Sequence, residues 1–108
     1  MSFRLAALLH GIVSQKVDGE VLGLALDSRD ISDGMLFLAI PGIQVDGRNY
    51  ISEAIKAGAV AVVYDPAEYL LQDFDVPCYP VSDLYKYIGE IANHWKIKYY
   101  WISGCISQ

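Results

Sequence analysis

The chain has 108 residues, of which 54% are hydrophobic and 19% charged, and its formal net charge at pH 7 is −5. This composition excludes an intrinsically disordered chain, and the acidic balance argues against a nucleic-acid partner, whose binding surface would be basic. The apolar runs are no longer than a strand and fall short of the ~20 residues that span a membrane.

The amino-terminal segment predicts a short amphipathic helix over residues 3–9. The segment faintly resembles a signal peptide, but His10 and Gly11 interrupt its apolar stretch and no A-x-A-like cleavage site follows. Cys78 and Cys105 form no C-x-x-C pair, which is typical of free thiols in a reducing compartment. We therefore expect a cytoplasmic domain that needs no disulfide, no metal and no membrane.

Two strands are predicted next, with a polar turn between them. The stretch EVLGLAL at 20–26 is rich in β-forming residues, and MLFLAI at 35–40 is continuously apolar, so we expect the second strand to be covered on both faces. The link 27–34 is too short for a helical crossover, which favours antiparallel pairing or strands in separate sheets.

The second half of the chain alternates helices and strands. The predicted elements are a helix from about Ile51 that is closed by Gly58, a strand at 59–64, a short helix or irregular crossing at 66–75, a short strand at 78–81, a helix over Leu84–Trp95 and a last strand at 98–103. This order predicts an α/β fold: a single small domain with a mixed sheet and flanking helices.

Two polar loops flank the strand at 35–40. Residues 27–34 begin with Asp-Ser-Arg, and residues 41–48 contain Gln-Val-Asp-Gly-Arg. If the two predicted strands are parallel, both loops lie at the same edge of the sheet; if the strands form a hairpin, the loops lie apart. The residue pattern leaves this question open.

The two loops also carry a family resemblance. The stretch LDSRDISDGMLFLAIPGIQVDGRNYISEAIKAGAVAVV resembles the amino-terminal domain of the Mur ligases, most closely the UDP-N-acetylmuramoyl-tripeptide synthetase group. The matching residues are Leu26, Asp27, Ser28, Arg29, Gly34, Leu36, Phe37, Ala39, Gly42, Asp46, Gly47, Tyr50, Ile51, Ala54, Gly58, Ala59 and Ala61. The resemblance extends from residue 20 to about residue 104, and it assigns residues 1–104 to this domain.

The resemblance implies a function in peptidoglycan synthesis. The domain would hold the UDP end of UDP-N-acetylmuramoyl-L-alanyl-D-glutamate in an ATP-dependent amide ligase that adds the third amino acid. The family's uridine contacts correspond to Leu26 and Ser28, and to Ile43, Gln44 and Val45 in the second loop. A hydroxyl, an amide and loop N–H groups suit such a ligand. No catalytic residue is expected in this chain.

Several polar residues in the loops also have purely structural interpretations. Asp27 can cap a turn, and Arg29 can pair on the surface with Asp30 or Asp33. Residues 46–47 can form a turn at the start of a helix. We therefore leave these residues out of the predicted site.

The resemblance fails at the carboxyl end of the chain. The ligases continue into an ATP-binding loop, I-T-G-T-N-G-K-T, whose Lys neutralises phosphate charge. Here Gly104 is followed by Cys-Ile-Ser, and Gln108 stands in the position of the Lys. We therefore interpret residues 105–108 as a truncated or altered start of the ATP-binding domain. ATP, Mg²⁺ and the central and carboxy-terminal ligase domains are expected only in the full-length enzyme, and the chain alone should be inactive.

Three other interpretations are compatible with the sequence. The chain can be the amino-terminal domain of the later ligase that adds D-alanyl-D-alanine, which shares much of the pattern. It can be a free-standing, non-enzymatic module that binds UDP-sugars. It can also be an α/β domain without a ligand, whose glycine-rich loops are only turns.

Overall fold

A computed structural model describes residues 3–13, 16–42 and 46–95 of the chain. Its elements are β1 (Phe3–Arg4), α1 (Leu5–Leu8), β2 (Glu20–Val21), β3 (Gly23–Ala25), β4 (Met35–Ala39), α2 (Ile51–Ala57), β5 (Ala61–Tyr64), β6 (Cys78–Pro80) and α3 (Leu84–Trp95). Strands β1 and β2 form a two-stranded antiparallel sheet, and β3, β4, β5 and β6 form a parallel sheet in that order. The prediction of a small α/β domain with flanking helices is confirmed, and its antiparallel pairing lies in the separate small sheet.

Both faces of the parallel sheet are covered, as predicted for the central apolar strand. Alternate residues of β4 face opposite sides because successive side chains of a strand alternate. Leu36 and Leu38 belong to a core cluster that includes residues of α1 and α3, whereas Phe37 and Ala39 belong to a second cluster that includes residues of α2. The sheet therefore separates two apolar layers.

The amino-terminal helix and the first predicted strand are shorter than the sequence suggested. Helix α1 begins at Leu5, because Phe3 and Arg4 pair instead with Val21 and Glu20. The stretch predicted as one strand is divided at Leu22 into β2 and β3, which belong to different sheets. Tertiary ladder hydrogen bonds thus override the local helical pattern at the start of the chain.

The expected antiparallel or separate arrangement of the two strands around the first loop is wrong. Strands β3 and β4 are parallel neighbours, with Gly23 opposite Met35 and Ala25 opposite Phe37. Strand β3 has only 3 residues, or roughly 10 Å at the usual rise of a strand. A tight turn and a few extended residues can cover that distance, so the chain can run from the end of β3 back to the start of β4 without an α-helix.

The second half of the chain follows the predicted order. Helix α2 ends at Ala57 and is closed by Gly58, whose φ of 120° is unfavourable for other residues. Residues 65–77 form an irregular crossing, which was one of the two predicted alternatives. The predicted last strand at 98–103 lies outside the described residues. Within the described ranges, no helix is long and apolar enough to cross a membrane.

Candidate functional site

The parallel pairing of β3 and β4 brings the two polar loops to one edge of the sheet. Each loop follows the carboxyl end of its strand, and these ends meet in a parallel sheet. A cavity of about 520 Å³ opens between them. Its lining residues are Leu26, Asp27, Ser28, Arg29, Phe37, Ile40, Gly42, Gly47, Tyr50 and Glu53. The edge beyond the carboxyl ends of strands is where open α/β sheets generally bind ligands.

Asp27 shapes the first loop by capping a 3₁₀ turn, Ser28–Asp30. Its Oδ1 accepts a hydrogen bond of 2.9 Å from the backbone N–H of Arg29. The guanidinium of Arg29 returns to the same carboxylate, with Nη2 2.7 Å from Oδ2. The capping interpretation of Asp27 is confirmed, whereas the expectation that Arg29 pairs with Asp30 or Asp33 is wrong. Asp27 lies closer because the turn folds the arginine back onto its own cap.

Asp46 shapes the second loop in the same way. It caps the 3₁₀ turn Gly47–Tyr50 and accepts a 3.0 Å hydrogen bond from the backbone N–H of Arg48. The Arg48 guanidinium also binds this carboxylate, with Nη2 2.9 Å from Oδ2. Residues 46–47 therefore have the structural role that the sequence suggested, and they also help to form the cavity through Gly47.

Arg48 fixes the second loop to the irregular crossing. Its Nη1 donates to the backbone carbonyls of Asp65 and Ala67, at 2.8 and 2.6 Å. Its guanidinium carbon lies 4.9 Å from the centre of the Tyr69 ring, a cation–π distance. The side chain of Arg48 is only 8% exposed, so this cation is a structural anchor and is absent from the cavity lining.

The two ends of the loop at 41–46 are also held together. Pro41 and Asp46 form an antiparallel bridge, and the N–H of Gly47 donates to the carbonyl of Ile40 at 2.8 Å. A Cβ on Gly47 would lie 2.9 Å from that carbonyl oxygen. Only glycine allows the backbone to approach so closely, so Gly47 determines the shape of this wall of the cavity.

The predicted binding residues fall into two groups. Leu26 and Ser28 line the cavity, and Ser28 is buried with 9% of its surface exposed. Its hydroxyl makes no side-chain hydrogen bond to another described residue, so a donor and an acceptor remain for a ligand. Ile43, Gln44 and Val45 lie outside the described residues. Gly42 and Gly47 on either side of them line the cavity.

Sequence reasoning missed several residues of the cavity. Asp27 and Arg29 were left out as structural, although both line it. Glu53 in the first turn of α2 and Tyr50 just before this helix also line the cavity. Tyr50 was noted only as a matching family position, and no motif singled out Glu53. The repeated Asp-x-Arg pattern at 27–29 and 46–48 was the available signal, because it marks two equivalent turns at the ends of neighbouring strands.

Hydrogen bonds from the arginines favour the ionised form of the two capping aspartates. The Arg29 side chain holds the pKa of Asp27 below its ordinary value, and the Arg48 side chain does the same for the pKa of Asp46. Both carboxylates therefore stay ionised at neutral pH. Burial raises the pKa of the Cys78 thiol, which favours its protonated form.

Among the described residues, the cavity brings together groups that can bind a ligand. A buried hydroxyl, an exposed guanidinium, loop backbone and an aromatic ring can hold a small polar molecule. Among the described residues, no group of three or more His, Cys, Asp or Glu side chains could hold a metal ion.

Comparison with known proteins gives a consistent result. The family model described as "Mur ligase family, catalytic domain" matches residues 20–96. A UDP-N-acetylmuramoyl-L-alanyl-D-glutamate–2,6-diaminopimelate ligase of Pseudomonas syringae pv. tomato is 45% identical over 73 residues, covering 67% of this chain and 15% of the relative. The chain thus spans a small part of the length of the curated relatives that it matches.

Solved structures show the same fold. MurF from Acinetobacter baumannii superposes with a TM-score of 0.70 at 19% identity, covering 87% of this chain and 21% of that one. The structure of a UDP-N-acetylmuramoyl-L-alanyl-D-glutamate–2,6-diaminopimelate ligase superposes with a TM-score of 0.63 at 22% identity, covering 84% of this chain and 18% of that one.

Proposed function

Since the chain belongs to the Mur ligase family, we propose that it binds the UDP end of a UDP-N-acetylmuramoyl-dipeptide as the amino-terminal domain of a peptidoglycan amide ligase. The observation that supports this most is the cavity at the carboxyl edge of the parallel sheet. It combines Ser28, a buried hydroxyl without a side-chain partner among the described residues, with the glycines on both sides of 43–45.

The proposed contacts follow from the chemistry of a uridine nucleotide. Its base and ribose offer carbonyl, N–H and hydroxyl groups, which suit the Ser28 hydroxyl, the Gln44 amide and the N–H groups of the second loop. Leu26 provides apolar contact in the cavity wall. Ile43 and Val45 complete the proposed site through backbone or apolar contact.

The substrate class is taken from the relatives. The Pseudomonas relative is named for UDP-N-acetylmuramoyl-L-alanyl-D-glutamate and 2,6-diaminopimelate. The chain corresponds to only 15% of that protein, and the family resemblance supports the proposal that this part binds the UDP end of the substrate. We therefore propose the UDP-muramoyl-dipeptide as the ligand of this chain, and the rest of the enzyme would select the amino acid that is added.

ATP and Mg²⁺ belong to the full-length ligase in this proposal. The residue that the resemblance aligns with the phosphate-binding Lys is Gln108, which carries no charge to neutralise phosphates. It lies outside the described residues.

The proposal is tested by calorimetric titration of the 108-residue chain with UDP-N-acetylmuramoyl-L-Ala-D-Glu, with UDP and with ADP. We expect saturable binding of the first two ligands and much weaker binding of ADP, because the cavity would recognise the pyrimidine. Failure of both uridine ligands to bind at millimolar concentration would overturn the proposal. Equal affinities for ADP and UDP would mean that the cavity binds the phosphates without selecting the base.

A further inference from the structure

The two Asp-x-Arg turns have the same local geometry and opposite surroundings. In each, the aspartate caps a 3₁₀ turn and binds the arginine two residues later through both backbone and side chain. The Arg48 side chain is 8% exposed, whereas the Arg29 side chain is 87% exposed. Arg48 thus anchors the second turn inside the protein. At the first turn, the same hydrogen bonds hold the Arg29 cation in solvent beside the cavity.

Arg29 has hydrogen-bonding capacity that its own pair does not use. Its Nε and Nη2 atoms bind the carboxylate of Asp27, at 3.1 and 2.7 Å. Its Nη1 atom makes no hydrogen bond to another described residue. A guanidinium has five N–H donors in a planar fork, so Arg29 can keep its contact with Asp27 while its outer edge binds another anion.

The charges of the cavity wall make this arginine decisive for an anionic ligand. The charged residues that line the cavity are Asp27, Glu53 and Arg29, and the chain as a whole carries a formal charge of −5. A ligand with a negative charge would meet net repulsion in this wall without Arg29. Bidentate binding of phosphate is the interaction for which a fixed guanidinium is best suited.

We propose that Arg29 is the phosphate-binding residue of this cavity, contacting the diphosphate of a nucleoside diphosphate while Asp27 holds its guanidinium in place. This inference rests on the proposed function and assigns a specificity role to a residue outside the five predicted contacts. In it, the first turn supplies the Ser28 hydroxyl to the nucleoside and the Arg29 cation to its phosphates, one residue apart.

The test compares UDP with uridine, which lacks the phosphates, in three proteins: the unsubstituted chain, Arg29→Ala and Lys56→Ala. Lys56 is exposed on α2 and does not line the cavity, so its substitution makes the same change in net charge. We expect Arg29→Ala to weaken UDP binding by about three- to tenfold, as for loss of a charged hydrogen bond, and to leave uridine binding unchanged. Lys56→Ala should change neither.

The outcomes separate the inference from the function on which it rests. Equal effects of Arg29→Ala and Lys56→Ala on UDP binding would overturn the inference, and so would an equal loss of UDP and uridine binding in Arg29→Ala. Equal affinity of the unsubstituted chain for UDP and uridine would overturn it as well, while the proposed function would stand. If the unsubstituted chain binds neither ligand, the inference fails, and the titration with UDP-N-acetylmuramoyl-L-Ala-D-Glu decides whether the proposed function fails with it. Circular dichroism spectra of the variants verify that each protein is folded.

Discussion

Arg48 donates a hydrogen bond of 2.8 Å to the backbone carbonyl of Asp65, a residue 17 positions later in the chain. This contact joins the turn after β4 to the crossing after β5, so two loops at the same edge of the sheet are held by one side chain. Asp65 is itself buried, and its Oδ1 accepts a hydrogen bond from the N–H of Ala67 at 2.9 Å.

Replacement of Arg48 by Ala should destabilise the protein strongly. The substitution leaves the carbonyls of Asp65 and Ala67 and the carboxylate of Asp46 without their partner in a partly buried position. We expect a loss of about 2–4 kcal/mol in the free energy of unfolding, measured by urea denaturation. Arg29→Ala is the control, because its exposed pair contributes little. Equal denaturation midpoints for the two variants would contradict the anchoring role.

Gly58 should tolerate no side chain. Its φ is +120°, and an added Cβ would lie 2.6 Å from the Cα of Asp33, where the contact is backbone and cannot move aside. We expect Gly58→Ala to cost about 2–4 kcal/mol of stability. Gly19→Ala is the matched control, because Gly19 also has a positive φ, of +106°, but nothing lies within 4 Å of its Cβ position. Thermal unfolding should show the larger loss for Gly58→Ala.

Gly47→Ala should impair the proposed UDP binding. The φ of Gly47 is not positive, so alanine causes no backbone strain there. An added Cβ would, however, lie 2.9 Å from the carbonyl oxygen of Ile40, so the loop must shift away from β4. We expect UDP affinity to fall together with about 1–3 kcal/mol of stability. Gly89→Ala in α3 has open space around its Cβ and should instead stabilise the chain by about 0.5–1 kcal/mol. Undiminished UDP affinity in Gly47→Ala would show that this wall does not contact the ligand.

Ser28→Ala should weaken UDP binding without unfolding the chain. The hydroxyl is buried in the cavity wall and makes no side-chain hydrogen bond to another described residue, so the folded protein loses no such bond. Loss of one ligand hydrogen bond should reduce affinity by about two- to tenfold, measured by calorimetry. Ser52→Ala, on the exposed surface of α2, should bind as the unsubstituted chain does. An unchanged affinity in Ser28→Ala would remove Ser28 from the site.

Stability should fall in acid through the Asp46–Arg48 pair. Hydrogen bonds from Arg48 hold the pKa of Asp46 below its ordinary value in the folded protein, so the unfolded chain takes up the proton first as the pH falls. The pair therefore contributes fully to the free energy of unfolding above the pKa of Asp46 in the unfolded chain. This contribution is lost as the pH falls through the lower pKa of Asp46 in the folded protein. Asp46→Asn keeps an acceptor for the cap and should show a shallower decline of stability below pH ~4. Parallel curves for the two proteins would contradict this linkage.

The family and one half of the candidate site were predictable from the sequence, because they depend on short local patterns. The Asp-Ser-Arg turn requires only that Asp27 accept a hydrogen bond from the N–H two residues later. The glycine that closes α2 and the burial of β4 on both faces likewise follow from local backbone preferences and from the continuous apolar run of this strand. The contacts expected at Ile43, Gln44 and Val45 remain predictions.

Tertiary structure decided which residues these patterns bring together. The short link after β3 predicted antiparallel or separate strands, yet three-residue β3 pairs parallel to β4 and places both loops at one edge. The sequence also contains two equivalent Asp-x-Arg turns and gives no reason to treat them differently. Arg48 is buried and Arg29 exposed because a crossing from residues 65–69 packs over only one of the turns, and such long-range packing is not encoded in a local pattern.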